Sequence, residues 1–212
     1  REMPGAEASA QGRRDAIAPL LADLAAAAIL SDLDGTLAPI VARPELVEVP
    51  TRARSALERI ASRYGLCAVV TGRQPENARE IVGLDQLTYA GNHGFELLDP
   101  RASRSTPSPE LVGREDAAAG FLADAADREA MVRAGVRLED KGPIVALHWR
   151  GADDEEVAER VALRIGADAR GRGLRTHAGR KVLELRPPAD IDKGVAIAGL
   201  LRRAGARRAL FA

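Results

Sequence analysis

Apolar positions along the chain fall into two rhythms, and their alternation predicts a layered α/β fold. Ile17, Leu20, Leu21 and Leu24 lie at helical spacing within residues 14–24 and predict a helix leading into the apolar run 25–30, a buried strand. Residues 38–50 carry Pro39, Pro44 and Pro50 and predict a loop or flap. Thr51 is expected to cap a helix running to about residue 64, with Ala53, Ala56, Leu57 and Ile60 facing inward and Gly65 ending it. A second apolar strand over 66–70 stops at Thr71-Gly72-Arg73. A short helix over 76–82 and a third strand over 87–90 follow, the latter ending at Gly91-Asn92-His93-Gly94. Strands and helices alternating with short connections predict a parallel sheet with right-handed crossovers.

After Pro100 the rhythm changes. Residues 101–109, rich in Ser, Pro and Arg, predict a linker, and 111–131 a helix. Strands are expected over 136–139, 144–149, 174–177 and 181–185. A helix with an acidic first turn, which suits the helix dipole, is expected over 153–168. Pro187-Pro188 closes this block. A helix over 190–204, ended by Gly205, and an apolar strand from 207 return to the earlier rhythm. The predicted organisation is a flexible lead-in over 1–12, an α/β core over 13–100 and 187–212, and an inserted α+β module over 101–186.

Composition narrows the function classes. Hydrophobic residues are 46% of the 212, enough for a real core. Lys+Arg and Asp+Glu are both 31, and a formal net charge of +0 gives no support for a nucleic-acid binder. The single cysteine, Cys67, sits in an apolar run and reads as a small buried hydrophobe; no disulfide framework can form within the chain, which fits a reducing cytoplasm. No apolar run approaches a membrane span, and residues 1–10 show no signal peptide, so a cytoplasmic location is expected. Opening on Arg1 rather than Met is read as a fragment or a processed product.

The candidate chemistry begins where the first strand ends, at Ser31-Asp32-Leu33-Asp34-Gly35-Thr36-Leu37. Side chains at i and i+2 of a straight strand point the same way, so Asp32 and Asp34 are expected to share a face. Two carboxylates at the end of a buried strand are costly unless a cation sits between them. The Gly-containing Thr71-Gly72-Arg73 turn falls at the same predicted sheet edge and offers a hydroxyl and main-chain N–H groups to a phosphate. Lys193 stands in the first turn of a helix, against the dipole, which an anionic partner would explain.

The run Asp32-Leu33-Asp34-Gly35-Thr36-Leu37 after an apolar strand resembles the first motif of the haloacid dehalogenase (HAD) phosphatase superfamily. Thr71 and Lys193 match its second and third motifs in order. That resemblance implies a HAD-type, Rossmann-like parallel core with Asp32 as the phosphorylated nucleophile and Asp34 as general acid/base. Thr71 and Lys193 would hold the phosphoryl group with Gly72 and Arg73, and Mg²⁺ would bind at Asp32 and Asp34, the latter through its main-chain carbonyl.

Within the predicted insert, Glu139-Asp140-Lys141, His148-Trp149-Arg150 and the segment 179–187 resemble the cap of the trehalose-6-phosphate phosphatases, in the same order. Gly91-Asn92-His93-Gly94 followed by Glu96 resembles the same family's segment before the cap. The resemblance covers nearly all of residues 29–194. It implies that Glu139, Lys141, Arg150, Arg180 and Glu184 contact glucose hydroxyls, that Asn92 and His93 belong to the substrate site, and that the cap closes over the sugar. Trp149 and Arg180 replace the family's usual Tyr and Lys. The family's fourth motif, G-D-D-x-T-D-E-D, falls past Ala212, and with it the remaining Mg²⁺ carboxylate, so weakened metal binding is expected of this segment.

The expected function is a Mg²⁺-dependent phosphatase that hydrolyses trehalose 6-phosphate through an aspartyl-phosphate. The partner is a small sugar phosphate, with neither nucleic acid nor membrane. The alternatives are a phosphatase of another sugar phosphate (sucrose 6-phosphate or mannosyl-3-phosphoglycerate) and a non-catalytic sugar-binding module.

Overall fold

The computed structural model describes residue 12, residue 15 and residues 17–41, 43, 46–123 and 125–212, with the backbone alone at 125 and 126. The predicted lead-in therefore lies, Gly12 apart, outside the described residues. Residues 17–21 are helical, as their apolar spacing predicts. The strands run in chain order as β1 (Ala27–Ser31), β2 (Leu66–Val70), β3 (Thr88–Gly91), β4 (Glu96–Leu98), β5 (Thr106–Pro107), β6 (Arg137–Asp140), β7 (Val145–His148), β8 (Arg175–Gly179), β9 (Val182–Arg186) and β10 (Arg208–Phe211). The helices are α1 (Thr51–Ala61), α2 (Pro75–Val82), α3 (Ala117–Phe121), α4 (Ala125–Ala134), α5 (Glu155–Gly171) and α6 (Lys193–Ala204). Among the described residues no helix is long and apolar enough to cross a membrane.

The chain divides into two compact units. One holds the described residues up to Thr106 together with Asp192–Ala212; the other is Pro107–Ile191.

The first unit is built on a sheet of order β10-β1-β2-β3-β4-β5. Its first four strands pair in parallel, and β4 pairs antiparallel with β3. Both faces are covered, which is why β1 and β2 read as continuous apolar runs rather than alternating ones. Val69 and Tyr89 face a cluster with Leu57 of α1 and Ala78 and Val82 of α2. Ala68, Val70 and Ala90 face the other side, against Leu200 of α6. Cys67 is buried in the first of these clusters, and burial pushes its thiol up to about 11, which suits the predicted small hydrophobe.

Three local expectations change. Thr51 is the first helical residue of α1 rather than its cap; Pro50 holds the cap position and no side chain caps the helix. β4 stands where no element is expected, because three residues are too few to show a period. The single helix expected over 111–131 is instead a short 3-10 turn (Pro109–Leu111) followed by α3 and α4. Val112 stands at ψ 124 and Gly113 at φ +80, and neither continues a right-handed helix.

The second unit carries an antiparallel sheet of order β6-β7-β9-β8. Val145, Leu147, Leu183 and Leu185 pack one face against Ala158, Ala162, Ile165 and Ala169 of α5. The helix lies close because its inner stripe is small: a Cβ on Gly166 would come within 2.5 Å of Leu183 Cδ2. Asp154 caps α5 by accepting from the Val157 N–H at 2.9 Å.

Candidate active site

Three parallel strands deliver the candidate residues of the first unit to one edge. Register pairs Ser31 with Val69 and Val70 with Ala90, so the chain leaves β1 at Asp32, β2 at Thr71 and β3 at Asn92 side by side. Open α/β sheets bind ligands at this edge, beyond the carboxyl ends of their strands.

β1 stops at Ser31, and Gly35 turns the chain at φ +87. Asp32 and Asp34 are therefore not two positions of one straight strand, and each carboxylate meets its own cation. Asp32 Oδ2 lies 2.5 Å from Lys193 Nζ, and Oδ1 accepts from the Leu33 N–H at 2.7 Å. Arg73 forks Asp34, donating from Nε to Oδ2 at 2.9 Å and from Nη2 to Oδ1 at 2.8 Å. This two-pronged geometry is the strong form of a guanidinium–carboxylate bond. Lys193 is the first residue of α6, whose cap Asp192 accepts from the Val195 N–H at 2.8 Å. The anionic partner predicted for a lysine placed against the dipole is Asp32.

Thr71 is fully buried, and its Oγ1 accepts from the Arg73 N–H at 3.2 Å, which curls the turn. His93 lies over this turn: a Cβ on Gly72 would come within 2.7 Å of the imidazole Cε1. Gly91 is required for a similar reason, since a Cβ there would fall 2.4 Å from Pro75 Cδ at the start of α2. The structure thus brings Asp32 to Lys193, Asp34 to Arg73, and Thr71, Gly72, Asn92 and His93 into one group of turns.

Among the described residues no group of three or more His, Cys, Asp or Glu could hold a metal ion. Asp32's carboxylate and Asp34's main-chain carbonyl are hard oxygen donors. They fit Mg²⁺, which binds through one or two carboxylates and keeps several waters.

In the second unit the sheet face turned away from α5 is polar. Cross-strand pairing sets Glu139, Ala146, Glu184 and His177 in one row. Glu184 is buried; its Oε1 accepts from Lys141 Nζ at 3.0 Å, and its Oε2 accepts from Arg186 Nη2 at 2.6 Å. Burial opposes ionisation of Glu184, but Lys141 and Arg186 outweigh it and hold the carboxyl down at about 2. Glu139 pairs instead with His148, Oε2 to Nε2 at 2.7 Å. Arg150 and Arg180 stand farther along the sheet, in the turns after β7 and before β9, where Arg150 Nη2 donates to Arg180 O at 3.4 Å. Glu155 ties these two turns together by accepting from the Gly151 N–H at 2.8 Å and from Lys181 Nζ at 2.5 Å.

Arg186 is a residue of these networks that the sequence pattern did not single out as a site residue. For Arg186 a signal existed, since period two in β9 places it on the face of Glu184.

The chain matches the trehalose-phosphatase family over residues 30–211. It is 39% identical over 186 residues to a trehalose-phosphate phosphatase of Mycobacterium avium (strain 104), across 84% of this chain and 45% of that protein. A protein of Mycobacterium tuberculosis (strain H37Rv) described as an uncharacterized glycosyl hydrolase is 40% identical over 183 residues, 84% of this chain and 13% of its own length. The chain thus spans less than half of these relatives. Among solved structures, a trehalose-6-phosphate phosphatase related protein superposes with a TM-score of 0.67 at 26% identity, over 87% of this chain and 76% of that one. With the family match running from the end of β1 to the end of β10, this chain belongs to the trehalose-phosphatase family.

Proposed function

We propose that the chain forms the catalytic part of a Mg²⁺-dependent phosphatase that releases phosphate from trehalose 6-phosphate. The single observation that carries this reading is the Asp32–Lys193 pair at the edge shared with Thr71. A carboxylate held beside a fixed ammonium is a nucleophile poised where phosphoryl charge will develop.

In the proposed reaction Asp32 attacks phosphorus in line, forming the Asp32–phosphorus bond as the bond from phosphorus to the sugar oxygen breaks. Asp34 gives its proton to that leaving oxygen, then takes one from the water that cleaves the aspartyl-phosphate, so that Asp32 is regenerated and phosphate leaves. Thr71 and Lys193 hold the phosphoryl oxygens, with the Gly72 and Arg73 turn beneath them. Arg73 forks Asp34 in the structure; turnover requires the fork to open, and the phosphate offers the guanidinium two oxygens to bind in its place. Mg²⁺, held by the Asp32 carboxylate and the Asp34 carbonyl, would neutralise charge on the transferring group. The polar sheet face of the second unit, with Glu139, Lys141 and Glu184, and the turns carrying Arg150 and Arg180 are assigned to the sugar hydroxyls, which several charged groups recognise together.

The test is phosphate release by the full-length protein with Mg²⁺, comparing trehalose 6-phosphate with sucrose 6-phosphate. Strong preference for the trehalose ester is expected. Equal or reversed preference would discard the substrate and keep the chemistry, and silence on both would discard the enzyme.

A further inference from the structure

The turn after β3 is bonded to the turn after β2 by two main-chain hydrogen bonds. Asn92 N–H donates to Arg73 O at 2.7 Å, and His93 N–H donates to Thr71 O at 2.8 Å. Asn92 and His93 stand at φ +49 and +62, in the left-handed region that side chains beyond Cα disfavour. Two consecutive residues there persist only where their surroundings hold them.

The side chain of Asn92 supplies that hold. Asn92 is fully buried, and its Nδ2 donates to Glu96 Oε2 at 2.6 Å. Register explains the reach, because Glu96 opens β4 directly across from Gly91. Glu96 is anchored in turn: its Oε1 accepts from Ser105 Oγ at 3.3 Å, and the Ser105 N–H donates to Glu76 Oε1 in the first turn of α2 at 2.7 Å. Burial pushes the Glu96 carboxyl up, against the bonds from Asn92 and Ser105, so this acceptor is kept at an electrostatic cost.

We infer that Glu96 is a positioning residue: through Asn92 it holds the left-handed pair that sets the His93 imidazole over Gly72, and so fixes the Thr71–Arg73 turn. For its effect on turnover this rests on the phosphatase reading; for its effect on His93 it does not.

The experiment follows the His93 ring by ¹H–¹³C NMR of the full-length protein, with the signal assigned by its loss in His93→Gln, alongside kcat and KM for trehalose 6-phosphate. Glu96→Ala and the space-filling Glu96→Met both remove the acceptor, so one remains informative if the other fails to fold. Both are expected to move the His93 signals and to lower kcat about tenfold or more, with KM changed less. Glu96→Gln, which keeps an acceptor for Asn92, is expected to restore both readouts. His93 signals unmoved in the folded acceptor-less variant would overturn the inference, as would a Glu96→Gln protein whose His93 shifts match that variant. An unsubstituted protein without turnover would end the phosphatase reading alone and leave the histidine signals to decide this one.

Discussion

Lys193 Nζ and Asp32 Oδ2 meet at 2.5 Å although 161 residues separate them in the chain. Both side chains are about two-thirds buried, so the pair is less screened than one on the open surface. Asp32→Asn keeps the shape and a hydrogen-bond acceptor for the Lys193 ammonium but removes the proposed nucleophile. Phosphate release is expected to fall by about a thousandfold or more, with circular dichroism and melting temperature close to the unsubstituted protein. Activity retained in a folded Asp32→Asn protein would refute the assignment.

Gly72→Ala tests the contact between the Thr71–Arg73 turn and His93. Gly72 does not stand at positive φ, so its backbone accepts alanine, and the objection comes from the imidazole at 2.7 and 2.9 Å from the new Cβ. His93 is only half-buried, and the imidazole is the far end of a side chain that can shift. The expected result is a stability change under about 1 kcal/mol and a loss of kcat/KM on the order of tenfold. Denaturation in urea beside steady-state kinetics separates the two, and unchanged kinetics would show that the ring's place does not matter.

The elements that position this site were legible where one physical signal dominated. β1 and β2 are short apolar runs between turn residues, and the candidate nucleophile stands where such a run meets two carboxylates. Side-chain partnerships were not legible in the same way. Straight-strand geometry put Asp32 and Asp34 on one face, but β1 ends at Ser31, before either carboxylate, and their cations arrive from β2's end and from α6. The late start of the helix expected over 111–131 hinges on Val112 and Gly113, two residues within an otherwise helical apolar pattern. In the second unit the alternation of Glu184 with Leu183 and Leu185 revealed a strand, while the burial of Glu184 under Lys141 and Arg186 depends on pairing that no local period encodes.

Two glycines make opposite demands on their neighbours. An alanine Cβ at Gly91 would meet the Pro75 ring at 2.4–2.5 Å, including its main-chain nitrogen, and neither partner has a rotamer to change. Gly91→Ala is expected to destabilise the first unit by about 3 kcal/mol. At Gly166 the obstacle is one flexible methyl, Leu183 Cδ2, and the substitution gains about 1 kcal/mol of helix propensity. Gly166→Ala is therefore expected to cost no more than about 2 kcal/mol. Urea midpoints for the two variants should fall in that order, and the reverse order would mean that the β3–α2 junction yields more easily than the α5–β9 packing.

Glu184 makes stability depend on acid in a predictable direction. Its carboxyl titrates at about 2 when folded, below the ordinary 4.5, because Lys141 and Arg186 outweigh the burial that opposes its charge. A depressed carboxylate contributes its stability fully above the unfolded value and loses it as pH falls through the folded one. The contribution is on the order of 3 kcal/mol at neutral pH and disappears progressively from about pH 4.5 down to about pH 2. Glu184→Gln removes it at neutral pH and also leaves two buried cations facing an uncharged amide. The stability gap between the unsubstituted protein and Glu184→Gln should therefore be widest at neutral pH and narrow through that acid window. Trp149 is buried in the core beneath the sheet and is the chain's only tryptophan, so its fluorescence reports unfolding of this unit directly. A gap that stays constant from pH 7 to pH 2 would mean that the Lys141–Glu184–Arg186 network packs the sheet without holding the carboxylate's charge.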